Sequence, residues 1–86
     1  MKINILFFAG IREMFGFHEK SIEIEESKNS PEKLLKFLSE KDQGSWVKLL
    51  NSKDSVRVAI NQEVSDWSDS LKDGDELAFF PPITGG

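Results

Sequence analysis

The chain contains no cysteine and a single histidine. Without cysteine there is neither a disulfide nor a thiolate metal site. One imidazole can build neither a histidine-rich metal centre nor a Cys–His nucleophile pair. Long apolar runs are missing too, and none approaches the roughly 18 residues of a membrane span. Met1 to Gly10 is apolar but too short for a span, and it lacks the charged lead and cleavage site of a secretory signal. The expected location is therefore the cytoplasm. Positive charge is in deficit: 11 Lys+Arg face 15 Asp+Glu, a net charge of −4. Nucleic-acid binders need a basic stripe, so that class is set aside, and an acidic surface suits a basic partner. At 86 residues the chain has enough core for one domain only. Such a domain buries about two-thirds of the surface its unfolded form exposes, which leaves a thin stability margin.

What is present reads as alternating strands around a main helix. Ile3, Ile5, Phe7 and Ala9 share one face of a first strand, and Asn4, Leu6 and Phe8 share the other. Ile11, Met14 and Phe15 mark a helical turn that Gly16 stops. Ser21–Glu25 alternates as a second strand, spaced for antiparallel pairing with the first. Ser30-Pro31-Glu32 opens the main helix with a hydroxyl cap, a proline at the first position and an acid in the first turn. Leu34, Leu35, Phe37 and Leu38 form its apolar stripe, and Gly44 is expected to end it. Trp46, Leu49 and Leu50 fit a shorter helix. Val56–Ile60, a short segment at Val64 and Glu76–Phe80 supply the remaining strands, with a turn at Asp73-Gly74. Pro81-Pro82 ends the last strand because neither residue can donate to a ladder. The prediction is a two-layer α+β domain over residues 1–80, followed by a protruding tail at 81–86.

Ordinary reactive groups do not assemble into a site. His18 falls in a loop with no second histidine or cysteine to pair with. Asp73, Asp75 and Glu76 lack the spacing of a calcium loop and read as a solvated turn. Trp46 and Trp67 read as core, and Lys33, Lys36 and Lys41 as a solvated helix face. Gly10 and Gly16 are wrongly spaced for a phosphate loop. No metal site is expected.

The tail carries more information. Pro81 and Pro82 stiffen the exit from the last strand, so Ile83-Thr84-Gly85-Gly86 should project. Two glycines can enter a slot that any Cβ would block. The six residues from Pro81 to Gly86 reach about 20 Å when extended, at roughly 3.3 Å each. Beneath the tail, strand alternation sends Leu6, Phe8, Ala78 and Phe80 away from the helix if Phe7 and Phe79 face it. Phe8 and Phe80, extended by Val64, would then form an uncovered apolar patch of the kind that marks a partner site.

The ending Asp-Gly-Asp-Glu-Leu-Ala-Phe-Phe-Pro-Pro-Ile-Thr-Gly-Gly resembles that of the small subunits of molybdopterin synthase, sulfur carriers of the ubiquitin-like β-grasp class. Ile3-Asn4-Ile5-Leu6-Phe7-Phe8-Ala9-Gly10-Ile11-Arg12-Glu13 and Ala59-Ile60-Asn61-Gln62 resemble that family as well, while residues 19 to 55 match in pattern only. The resemblance implies a mixed β-grasp sheet with the first and last strands adjacent and parallel at its centre, one main helix and a short second one. It implies that Gly86 is adenylated with ATP by an activating enzyme like the ubiquitin E1 class, then converted by a sulfur donor to a thiocarboxylate. Ile83, Thr84 and Gly85 would form the rest of the functional tail. Phe8, Val64, Phe80, Pro81 and Pro82 would meet the large synthase subunit in a heterotetramer. The sulfur would pass to cyclic pyranopterin monophosphate in molybdenum cofactor biosynthesis. The carrier would bind no cofactor of its own and act as a non-catalytic subunit of a sulfurtransferase. Three other readings remain: a protein-conjugating modifier, a thiamine thiazole sulfur carrier, and a plain interaction module.

Overall fold

The structure is a computed structural model, and it describes residues 1–42 and 44–82. Strand β1 (Lys2–Phe7) leads through helix α1 (Ala9–Phe15) into β2 (Glu19–Glu23). Helices α2 (Pro31–Lys41) and α3 (Ser45–Asn51) follow, then a 3-10 turn and strands β3 (Arg57–Ile60), β4 (Glu63–Ser65) and β5 (Glu76–Phe80). The five strands form one sheet in the order β2-β1-β5-β3-β4. β1 and β5 run parallel, in the register Asn4–Glu76, Ile5–Leu77, Leu6–Ala78 and Phe7–Phe79. A parallel pair cannot be joined by a hairpin, so all the intervening chain serves as its crossover. The other pairings are antiparallel. This is the β-grasp arrangement expected from the sequence.

One face of the sheet carries the core. Ile3, Ile5 and Phe7 of β1 and Leu77 and Phe79 of β5 are buried with Leu34 and Leu35 of α2 and Leu49 of α3. Phe7 lies 4.3 Å from Phe15, and Phe15 meets Trp46 edge-on at 4.6 Å between ring centroids, which fastens α1 and α3 to the end of β1. The Ser30 hydroxyl accepts from the Lys33 N–H at 3.2 Å, with Pro31 at the first helical position of α2. Gly16 takes φ 82° and returns its N–H to the Arg12 carbonyl, ending α1.

Several boundaries differ from the sequence expectation. The first strand stops at Phe7 instead of Ala9, because the Phe8 carbonyl accepts from the N–H groups of Ile11 and Arg12 and begins α1. β2 lies two residues earlier than Ser21–Glu25, since pairing Lys2 with Glu23 and Leu6 with Glu19 sets its register. α2 ends at Lys41, where the Asp42 N–H closes onto the Leu38 carbonyl. Gly44 instead opens α3, its N–H donating to the Asp42 carboxylate at 3.1 Å. β3 begins at Arg57 because the Val56 N–H closes the 3-10 turn onto the Lys53 carbonyl.

Candidate functional site

Among the described residues no helix covers the other face of the sheet, and strand pairing arranges its side chains in rows. The middle row runs Glu19, Leu6, Ala78, Ala59, Val64 from β2 across to β4. Toward the tail lies Phe80, paired with Arg57 on β3. Phe8 stands beside this row, its N–H still donating to the Phe79 carbonyl at 3.2 Å. At the opposite end are Ser21, Asn4 and Glu76.

Because Ala59 and Ala78 are small and sit opposite each other, they form a floor with larger groups around it. The result is an open concavity of about 570 Å³ lined by Leu6, Phe8, Ala59, Gln62, Val64, Glu76, Ala78 and Phe80. Phe8 remains 46% exposed and Val64 77%, whereas Phe80 is half-buried. Exposed apolar side chains clustered around one hollow are the kind of surface on which partners commonly dock.

A strained turn holds one end of the hollow. Asn61 and Gln62 form the two-residue connection between β3 and β4, with φ 50° and 70°. Paired left-handed residues suit a hairpin twist, but without glycine they carry strain. Asn61 fastens them: its amide donates to Asp75 at 2.9 Å and its carbonyl oxygen accepts from the Glu76 N–H at 3.0 Å. The Asn61 N–H also reaches the Glu76 carbonyl at 2.9 Å. The turn is thus anchored to the start of β5, and Gln62 is brought beside the concavity.

The structure therefore gathers Phe8, Val64 and Phe80 at one hollow. Pro81 and Pro82 are exposed just past β5 and are not part of its lining. Ile83, Thr84, Gly85 and Gly86 lie outside the described residues. Ala59 and Gln62 were not assigned to this face from sequence. Glu76, read there as the start of the last strand and, with Asp73 and Asp75, as part of a solvated turn, opens β5 and lines the hollow half-buried, because its pairing with Asn4 draws it into the sheet. Ala59 could have been found from the parity of β3 once that strand was placed beside β5. A turn at Asn61-Gln62-Glu63 into the Val64 segment is readable from sequence, but nothing in it says that the Gln62 side chain will border the hollow.

The remaining polar candidates have structural employment. The Asp73 carboxylate accepts from the Lys2 N–H at 2.6 Å, and Asp75 from the Lys72 N–H at 2.8 Å, so both hold a turn. His18 is exposed, and its carbonyl accepts from Phe7 at 2.9 Å. Trp46 is buried, and Trp67 packs on Phe79 at 5.9 Å. Lys33 and Lys36 flank Phe37 on α2, and the Lys41 ammonium stands 5.0 Å from that ring. Among the described residues no group of three or more His, Cys, Asp or Glu could hold a metal, and no helix is long and apolar enough to cross a membrane.

Comparison with known proteins places the chain in a family. The ThiS family matches residues 5–86. The molybdopterin synthase sulfur carrier subunit of Haemophilus influenzae is 39% identical over 84 residues, covering 98% of this chain and 99% of that one. The crystal structure of SAMP1 from Haloferax volcanii shares the fold, with a TM-score of 0.74 at 23% identity and both chains covered in full. A chain in the complex of subunits 1 and 2 of molybdopterin-converting factor from Helicobacter pylori is 25% identical, with a TM-score of 0.65 and both chains covered in full.

Proposed function

The chain belongs to the ThiS family, and from that membership we propose that it is the sulfur carrier subunit of a molybdopterin synthase. The observation that carries this reading is the full-length 39% identity with a relative of that name. The helix-free apolar hollow supports it, because a carrier must be gripped by a larger protein close to its tail.

The reaction runs through the Gly86 carboxylate. An activating enzyme of the E1-like class joins that carboxylate to the α-phosphate of ATP and releases pyrophosphate. A sulfur donor then displaces AMP, and one oxygen of the carboxylate is replaced by sulfur. The large subunit covers Phe8, Val64 and Phe80, and Ile83–Gly86 carry the thiocarboxylate into its active site. There the sulfur passes to cyclic pyranopterin monophosphate as the dithiolene is built. Two carriers on two large subunits make a heterotetramer, and the compartment is the cytosol. The carrier contributes position, and its partners contribute acid and base.

Position is also what tests the reading. Deleting Gly86 retracts the reactive group by about 3.3 Å, and a misplacement of about 1 Å already costs on the order of a hundredfold in a positioned reaction. The wild-type tail incubated with ATP, activating enzyme and sulfide should gain one sulfur for one oxygen by intact mass. The deletion, or an added terminal alanine, should then lower the yield of molybdopterin by that hundredfold or more. Normal delivery from altered tails would refute Gly86 as the anchor. Conjugates on lysine in place of the sulfur exchange would make the protein a modifier.

A further inference from the structure

The hollow on the helix-free face is apolar except for Gln62 and Glu76. The neighbouring polar side chains in the row that contains Glu76 are already engaged. The Asn4 amide donates to Glu19, and its oxygen accepts from the Ser21 hydroxyl, both at 3.3 Å. The Asn61 amide is held by Asp75 and by the backbone of Glu76. The Glu76 carboxylate differs. It is half-buried against the hollow, and among the described residues it has no hydrogen bond and no ion pair; the single ion pair there joins Lys53 to Glu32. Its exposed part is open to solvent in the free protein.

A partner that covers Phe8, Ala78 and Phe80 also strips water from Glu76, two residues along the same strand face from Ala78. A lone carboxylate is heavily disfavoured without water unless a cation and donors replace it. We propose that Glu76 sets the specificity of this face, and that the covering partner presents an arginine or lysine to it, with the Gln62 amide as a neutral second contact. This rests on the reading above that a larger subunit covers the hollow. Four residues of strand separate Glu76 from Phe80, so the partner's cation lies about 13 Å from the group that receives the Phe80 ring, at roughly 3.3 Å per residue. The face thereby gains a direction: aromatic at the tail end and acidic at the far end. A partner docked in the reverse sense would put its cation on aromatic rings and leave the carboxylate dry.

The test is a calorimetric titration of the full-length carrier with the large subunit at low and high salt. Glu76→Gln keeps the shape and removes the charge. It should weaken binding about thirtyfold or more and flatten the salt dependence. Glu76→Lys should weaken binding further, since like charges then meet. Thermal melts of both variants should match wild type, because this carboxylate bonds to no other group among the described residues. Phe80→Ala is the control for docking itself. If Phe80→Ala binds as wild type, the covering reading fails. If Phe80→Ala binds weakly while Glu76→Gln binds as well as wild type or better, the covering reading stands and the cation proposal is overturned.

Discussion

The same dipeptide occurs at the ends of the two central strands, and its members meet opposite fates. Phe7 closes β1 with Phe8 just beyond it, and Phe79-Phe80 closes β5, the two strands lying side by side and parallel. Phe7 and Phe79 are 1% and 0% exposed, with ring centroids 6.3 Å apart in the core. Phe8 keeps 46% of its surface, and Phe80 is half-buried beside it. Side-chain chemistry is identical in all four, so what separates them is strand parity and the side on which the helices lie. One face of the sheet spends its aromatics on stability, and the other leaves them exposed or half-buried.

The largest expected effect tests that division directly. Phe79→Ala should cost about 3–5 kcal/mol of stability in urea denaturation, a large share of the margin of so small a domain. Phe80→Ala should cost clearly less in the same measurement. Its effect should appear in titration with the large subunit, as a loss of at least about thirtyfold, the size of a truncated interface aromatic. If Phe80→Ala proves the more destabilising and Phe79→Ala the weaker binder, the two faces have been assigned the wrong way round.

Smaller effects should fall on the helix side alone. Ser30→Ala removes the cap that accepts from the Lys33 N–H and should cost about 1 kcal/mol of stability, leaving the affinity of the folded protein for its partner unchanged. The smallest effect should come from the Lys53–Glu32 pair at 2.6 Å. The hydrogen bond from Lys53, together with its charge, holds the Glu32 carboxyl below its ordinary value. A lowered folded-state value means that the pair's stabilisation is present at neutral pH and is lost as pH falls through that lowered value. Both groups are solvated, so salt should screen the contribution, and Glu32→Gln should shift the melting temperature least of all these variants.

Much of this architecture is legible along the chain because its causes are local. Ser30-Pro31 starts α2 through a hydroxyl three residues from its N–H partner, and Gly16 stops α1 through its own φ. Alternation in Ile3-Asn4-Ile5-Leu6-Phe7 already separates a core set from an outward set. The β2 error fell where a distant partner decides, while the boundaries at Phe7, Lys41 and Arg57 turned on hydrogen bonds within a few residues. β2 moved two residues because its register depends on Lys2–Glu23 pairing, and Gly44 lost its expected role because Asp42 ended the helix first. In the site, Phe8, Val64 and Phe80 were readable as apolar residues of the right parity. The hollow between them was not.

By itself the sequence determined the parity of each strand, the helix start, the turn at Asp73-Gly74 and the two prolines that end β5, since each of these depends on residues within a few positions of one another. Only the tertiary structure decided that Ala59 would lie opposite Ala78 and so leave a floor, and that Asn61 would tie its turn to Asp75 and Glu76. It alone left the Glu76 carboxylate facing that hollow without a partner among the described residues. Those relations join residues from 14 positions apart, as in Asn61–Asp75, to about 70, as between Glu76 and Leu6, and register across a sheet is set by the pairing of whole strands and not by any one segment's own preference.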